Sequence, residues 1–136
     1  MLRAIAGESG RRALNRVKEL RPLVTQAHDR LRERFESGGS AEDYLRGRAR
    51  LADSTVVGLL HLASLSSGIR GGSMVAPLAA IAVGGYGRKE LAPGSDLDLL
   101  FLLPESNRLA PATKACISAV VASLWDLGFV LVARFD

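Results

Sequence analysis

The residues of this chain best suited to chemistry lie close together. They are Gly84-Gly85-Tyr86-Gly87-Arg88 and, after a short spacer, Ser95-Asp96-Leu97-Asp98. Three glycines allow the backbone to take positive φ and let a ligand approach without side-chain obstruction. Successive amides in such a turn can converge on a phosphate, and Arg88 can add a two-pronged contact to phosphate oxygens. Asp96 and Asp98, one residue apart at the head of an apolar run, share one face of a strand, while Leu97 and Leu99 point the other way into packing. Two carboxylates on one face repel each other unless a cation neutralises them. Mg²⁺ suits the pair, because it takes oxygen ligands and keeps places for water and triphosphate oxygens. Paired ions of this kind activate an attacking oxygen and stabilise departing pyrophosphate. Ser95 can offer a hydroxyl or an amide to the phosphates. The expected metal-binding and catalytic residues are therefore Asp96 and Asp98, and the expected nucleotide-binding residues are Gly84, Gly85, Gly87, Arg88 and Ser95.

Other phosphate-binding motifs fail on detail. A dinucleotide fingerprint counted from Gly85 needs a third glycine where Glu90 stands, and the Gly-Lys-Ser/Thr of an ATPase loop is absent. Neither motif has a use for the Asp-x-Asp.

The elements that must position these residues can be read from periodicity. Ala79 to Val83 is a short apolar run that stops at two glycines, as a buried strand does, and Leu97 to Leu103 is a second, closed by Pro104. Pro111 to Leu127 reads as a helix with Ile117, Val120, Val121, Leu124 and Trp125 along one side; Gly128 ends it, and Phe129 to Ala133 reads as a third strand. Upstream, residues 10–35 are helical in pattern, with Ala13, Val17, Leu20, Leu23, Val24, His28 and Leu31 at three- and four-residue steps. Ser40 and Asp43 form an N-cap and acidic first turn for a second helix running from Ala41 to about Leu62. Glycines and serines from Ser66 to Ser73 mark a break. The expected fold is α/β (α+β): a helical lead-in over 1–75, then a partial sheet with flanking helices over 76–136.

The formal net charge of +4 suggests nucleic acid, but its distribution does not. Residues 1–50 hold twelve Lys/Arg against seven Asp/Glu, and residues 51–136 hold six against seven, so the excess lies away from the glycine loop. There the basic residues alternate with acids and no aromatics interleave, which describes a solvated helix face and no nucleic-acid partner. No apolar run reaches the roughly 18 residues of a membrane span, so no membrane partner is expected. One cysteine, Cys116, excludes an intrachain disulfide and fits a reducing cytoplasm; its apolar setting marks it as a small buried hydrophobe. His28 and His61 have no acidic or cysteine neighbour at ligand spacing and read as ordinary helix residues.

At the glycine loop and the Asp-x-Asp, the chain resembles the DNA polymerase beta-like nucleotidyltransferase superfamily. More narrowly, residues 82–88, Glu90-Leu91-x-Pro93, Ser95-Asp96-x-Asp98-Leu99-Leu100 and Leu124-Trp125-Asp126-Leu127-Gly128 look like the N-terminal domain of bacterial protein-PII uridylyltransferases. The likeness is dense from Ile81 to Gly128 and looser in the lead-in. It implies transfer of UMP from UTP to a tyrosine of the PII nitrogen-signalling protein, with Mg²⁺ on Asp96 and Asp98 and the triphosphate in the glycine loop. It also implies a loop-packing role for Tyr86.

The departures carry expectations too. Lys89 stands where that family commonly has glycine. The superfamily completes its metal site with a third carboxylate on a later strand, for which Asp126 and Asp136 are poor substitutes, so a weakly active or inactive chain is expected. Residues 131–136 differ from the family's Val-Gly-His-Ser/Ala-Val-Arg continuation in a way that a one-nucleotide shift largely explains. A truncated gene product is expected on that ground, with a frameshift as one route to it and a fragment or a natural terminus as the alternatives. The rival classes are a small stand-alone nucleotidyltransferase, against which the long lead-in weighs, and a non-catalytic nucleotide- or PII-binding module.

Overall fold

The computed structural model describes residues 8–66, 79–103 and 111–135. The expected glycine–serine break at 67–73, the closing Pro104 and Asp136 lie outside the described residues. Two long helices, α1 (Glu8–Glu36) and α2 (Ala41–Ser66), lead into β1 (Ala79–Ala82), a helical turn α3 (Gly84–Gly87), β2 (Leu97–Leu102), α4 (Pro111–Asp126) and β3 (Leu131–Phe135). The α+β reading holds, with helices flanking a short sheet in the order β1-β2-β3.

Local chemistry explains most boundaries. Ser40 caps α2, its hydroxyl accepting from the Asp43 amide at 3.1 Å. α4 ends in a left-handed glycine, Gly128 at φ +94°, whose amide donates to Trp125 O while that of Phe129 donates to Leu124 O. This is a Schellman closure, and it corrects the third strand. The Phe129 amide serves the helix end and is not available to a sheet ladder, so β3 begins at Leu131 and runs on to Phe135 rather than spanning Phe129–Ala133.

β2 is the middle strand. It pairs antiparallel with β1, with Ala82 opposite Leu99, and parallel with β3, with Asp98 opposite Val132. Its alternation matches the sequence reading: Leu97, Leu99 and Phe101 are buried, and Asp98 faces the other side. One continuous core joins these leucines to Ala49, Ala52, Val56, Leu59 and Ala63 of α2 and to Ile117, Val120 and Leu124 of α4. Two expected core positions face outward instead. Leu23 is 60% exposed and Trp125 51%, because each lies one residue outside the stripe that its helix buries, beside Val24 and Leu124. Cys116 is buried as expected, and burial pushes its thiol pKa up.

Lys89 is the described non-glycine residue with positive φ, at +61°. A side chain in that region costs about 1–2 kcal/mol. Lys89→Gly is therefore expected to stabilise the fold by up to about 1 kcal/mol after the extra backbone entropy of glycine is subtracted. A rise in the urea midpoint at unchanged slope checks this; an unchanged or lower midpoint contradicts it.

Candidate nucleotide site

The antiparallel pairing of β1 with β2 assembles the site. β1 ends where β2 begins, and the Val83 amide donates to Asp98 O at 3.1 Å, so the glycine turn leaves β1 directly beside the second aspartate. The turn expected at 84–88 closes as a single helical turn. The Gly87 amide donates to Val83 O at 3.0 Å, Arg88 to Gly84 O at 3.2 Å and Glu90 to Gly85 O at 2.9 Å. The amides of Gly84, Gly85 and Tyr86, first in the turn, have no acceptor within it.

Two glycines are required here for different reasons. Gly84 has φ +62°, and a Cβ on it would lie 2.8 Å from Asp98 Oδ2. The absence of a side chain leaves the carboxylate room against the start of the turn. A Cβ on Gly87 would lie 2.6 Å from the backbone oxygen of Ala82, so that glycine lets the turn fold back onto β1. Its amide is already bonded, which makes Gly87 a packing position more than a donor.

Asp96 is exposed immediately before β2, and Asp98 is half-buried one step into it. The Leu97 amide between them is fixed to Val130 O at 2.7 Å. Among the described residues neither aspartate is paired with a cation, and no three ligand-type side chains cluster. Asp98 beside Gly84, with Asp96 two residues before it in the chain, is a donor set whose oxygen chemistry suits Mg²⁺. Arg88 lies on the surface in a long contact with Glu90 (Nε to Oε2, 3.6 Å). An exposed pair of that kind holds the guanidinium weakly, leaving it able to swing to a phosphate. Ser95 is less free than the sequence suggested, since its hydroxyl and amide both donate to Ala92 O.

Tyr86 is buried, in keeping with the expected packing role, but the sequence does not announce its partner: its hydroxyl donates to Asp53 Oδ1 of α2 at 2.7 Å, and burial, then that bond, raise its pKa far above the tyrosine range. Arg48, also on α2, donates through Nε to Leu91 O at 3.0 Å and lies 3.4 Å from His28 Nδ1. Partial burial and the neighbouring guanidinium lower the His28 pKa, and its ring packs against Phe129 at 5.5 Å. A cavity of about 210 Å³ lies between His28, Arg48, Leu91 and Phe129 on one side and Gly94, Ser95 and Val130 on the other. These contacts link residues 33 and 43 apart in sequence, and no local pattern announces them.

The fold and this turn-and-carboxylate arrangement define a nucleotidyltransferase-type domain. The chain matches the family described as "Putative nucleotidyltransferase DUF294" over residues 25–133 and belongs to that family. Among curated proteins it is similar to bifunctional uridylyltransferase/uridylyl-removing enzymes. The identity is 37% over 112 residues in Aromatoleum aromaticum, 37% over 116 in Azospirillum brasilense and 32% over 112 in Acinetobacter baylyi. Each match covers 82% of this chain and 12% of the relative, so the chain spans about an eighth of the length of the relatives it matches. No solved structure matches it. No helix among the described residues is long and apolar enough to cross a membrane.

Proposed function

We propose that the Gly84–Asp98 element binds UTP as its Mg²⁺ complex, and that the domain serves transfer of UMP to the PII signalling protein in the cytoplasm. In that reaction an acceptor hydroxyl gives up its proton to solvent as its oxygen forms a bond to the α-phosphorus, the bond from that phosphorus to the bridging oxygen breaks, and pyrophosphate leaves with the bonding pair. Bound Mg²⁺ would supply charge neutralisation at the phosphate oxygens. Asp96 and Asp98 would hold it, the free amides of Gly84, Gly85 and Tyr86 would orient phosphate, and Arg88 would close over it from the surface. Ser95 would take part by turning its hydroxyl away from Ala92 O.

The observation that carries this reading is the contact geometry of Gly84 and Asp98, where a Cβ would stand 2.8 Å from a carboxylate oxygen. With no side chain on Gly84, the Asp98 carboxylate lies against the first residue of the turn, where metal and phosphate would meet. The preference for UTP rests on the similarity to uridylyltransferases, since glycines and aspartates read phosphate and metal but not the base.

Calorimetric titration of UTP into the chain, with and without Mg²⁺, tests the proposal. Binding is expected to require the metal and to weaken at least about tenfold in Asp98→Ala, a loss of about 1.4 kcal/mol. Equal binding without Mg²⁺, or by Asp98→Ala, contradicts it.

A further inference from the structure

Building on that reading, we propose that α2 positions the nucleotide turn, with Asp53 and Arg48 as positioning residues that hold its two sides. Asp53 holds the glycine turn through the Tyr86 hydroxyl at 2.7 Å. Arg48 holds the segment leading to Asp96 through the Leu91 carbonyl at 3.0 Å. The two helix positions are five residues apart, roughly 7.5 Å along the axis, and their two partners are also five residues apart in the chain. The helix thus acts as a ruler set against the loop.

The loop needs such a hold. Its glycines leave the backbone many conformations, and each residue fixed from that ensemble costs about 1–2 kcal/mol of entropy. In the proposed complex the amides of Gly84, Gly85 and Tyr86, which have no acceptor among the described residues, must nevertheless point at one phosphate. Tyr86 carries one of those amides on its own backbone, so fixing its side chain fixes the donor. Its raised pKa keeps the hydroxyl protonated, and therefore a donor, throughout the physiological range. Asp53 is exposed and remains in contact with water, so it accepts the bond without the penalty of a buried charge. Arg48 is braced in turn, by His28 of α1 and by the Tyr44 ring 5.9 Å from its guanidinium carbon. Both long helices therefore bear on the site.

The test uses Tyr86→Phe, which keeps the buried ring and removes only the hydroxyl, together with Asp53→Ala, Asp53→Asn and the double variant Tyr86→Phe/Asp53→Ala. UTP·Mg²⁺ affinity is measured at a temperature where circular dichroism shows every variant folded. Tyr86→Phe and Asp53→Ala are each expected to weaken binding by about three- to tenfold, as the loss of one hydrogen bond implies. The double variant is expected to be no weaker than either single one, and Asp53→Asn, which keeps an acceptor oxygen, to bind within about twofold of the parent. Full affinity in Tyr86→Phe, additive losses, or failure of Asn to rescue would each overturn the proposal. If the parent chain does not bind UTP·Mg²⁺, the functional reading fails on its own. The positioning role is then read from amide exchange, in which Gly87, Arg88, Lys89 and Glu90 should exchange several-fold faster in Tyr86→Phe while α4 is unchanged. Unaltered exchange in the turn would overturn it.

Discussion

Gly84→Ala is expected to remove most UTP·Mg²⁺ binding while leaving the chain folded. Two effects act together. At φ +62° any Cβ is strained, by about 1–2 kcal/mol. The new methyl would also stand 2.8 Å from Asp98 Oδ2, well inside contact distance. The atom it meets is the end of a rotatable side chain, so the fold can relieve the clash by turning the carboxylate away. That rotation withdraws the oxygen from the side of the site that faces the turn. Binding should therefore fall by at least about tenfold, more than the stability loss alone would suggest. Gly94→Ala is the control. Gly94 also has positive φ, +79°, but a Cβ there meets nothing within 4 Å. It should show the backbone strain as a lowered urea midpoint and keep its affinity. Equal affinities in the two variants would show that Gly84 is only a turn glycine, and would weaken the case for Asp98 as a ligand.

How much of this was legible beforehand follows from the range of each interaction. The alternation around Asp98 and the apolar runs are local, and the buried face of β2 came out as Leu97, Leu99 and Phe101. The close of α4 and the start of α2 were legible for the same reason, since Gly128 and Ser40 act within a few residues, whereas α2 runs on to Ser66, past the expected Leu62. The start of β3 was not, because Phe129 and Val130 look like strand residues and the closure of α4 by the Phe129 amide outweighs that preference. Leu23 and Trp125 were misplaced because apolar type does not say which edge of a helix stripe is covered. At the site, the turn and its aspartates were visible as a motif, but the two holds from α2 were not. Asp53 and Arg48 look like solvated helix residues until folding brings Tyr86 and Leu91 against them.

Phe101→Ala is expected to cost about 3–5 kcal/mol, the range for emptying a fully buried aromatic position. Phe101 has no exposure and lies near the end of β2, the middle strand, opposite Ala80 of β1 and Phe135 of β3. Small domains are stable by only about 5–15 kcal/mol, so this one change consumes a large part of the total. The consequence for the site is indirect but strong. Asp98 lies three residues along the same strand, and the Val83 amide that anchors the turn is bonded to Asp98 O. Loosening β2 therefore releases both halves of the nucleotide site at once. Urea unfolding followed by circular dichroism should show a much lower midpoint at unchanged slope, and affinity should recover when stabilising osmolyte restores the fold. Phe135 provides the comparison, because its ring stacks on Phe101 at 5.9 Å yet is 59% exposed. Phe135→Ala should cost no more than about 1 kcal/mol. If the two losses are similar, the sheet is held at its β3 edge, and the central-strand account of the site is wrong.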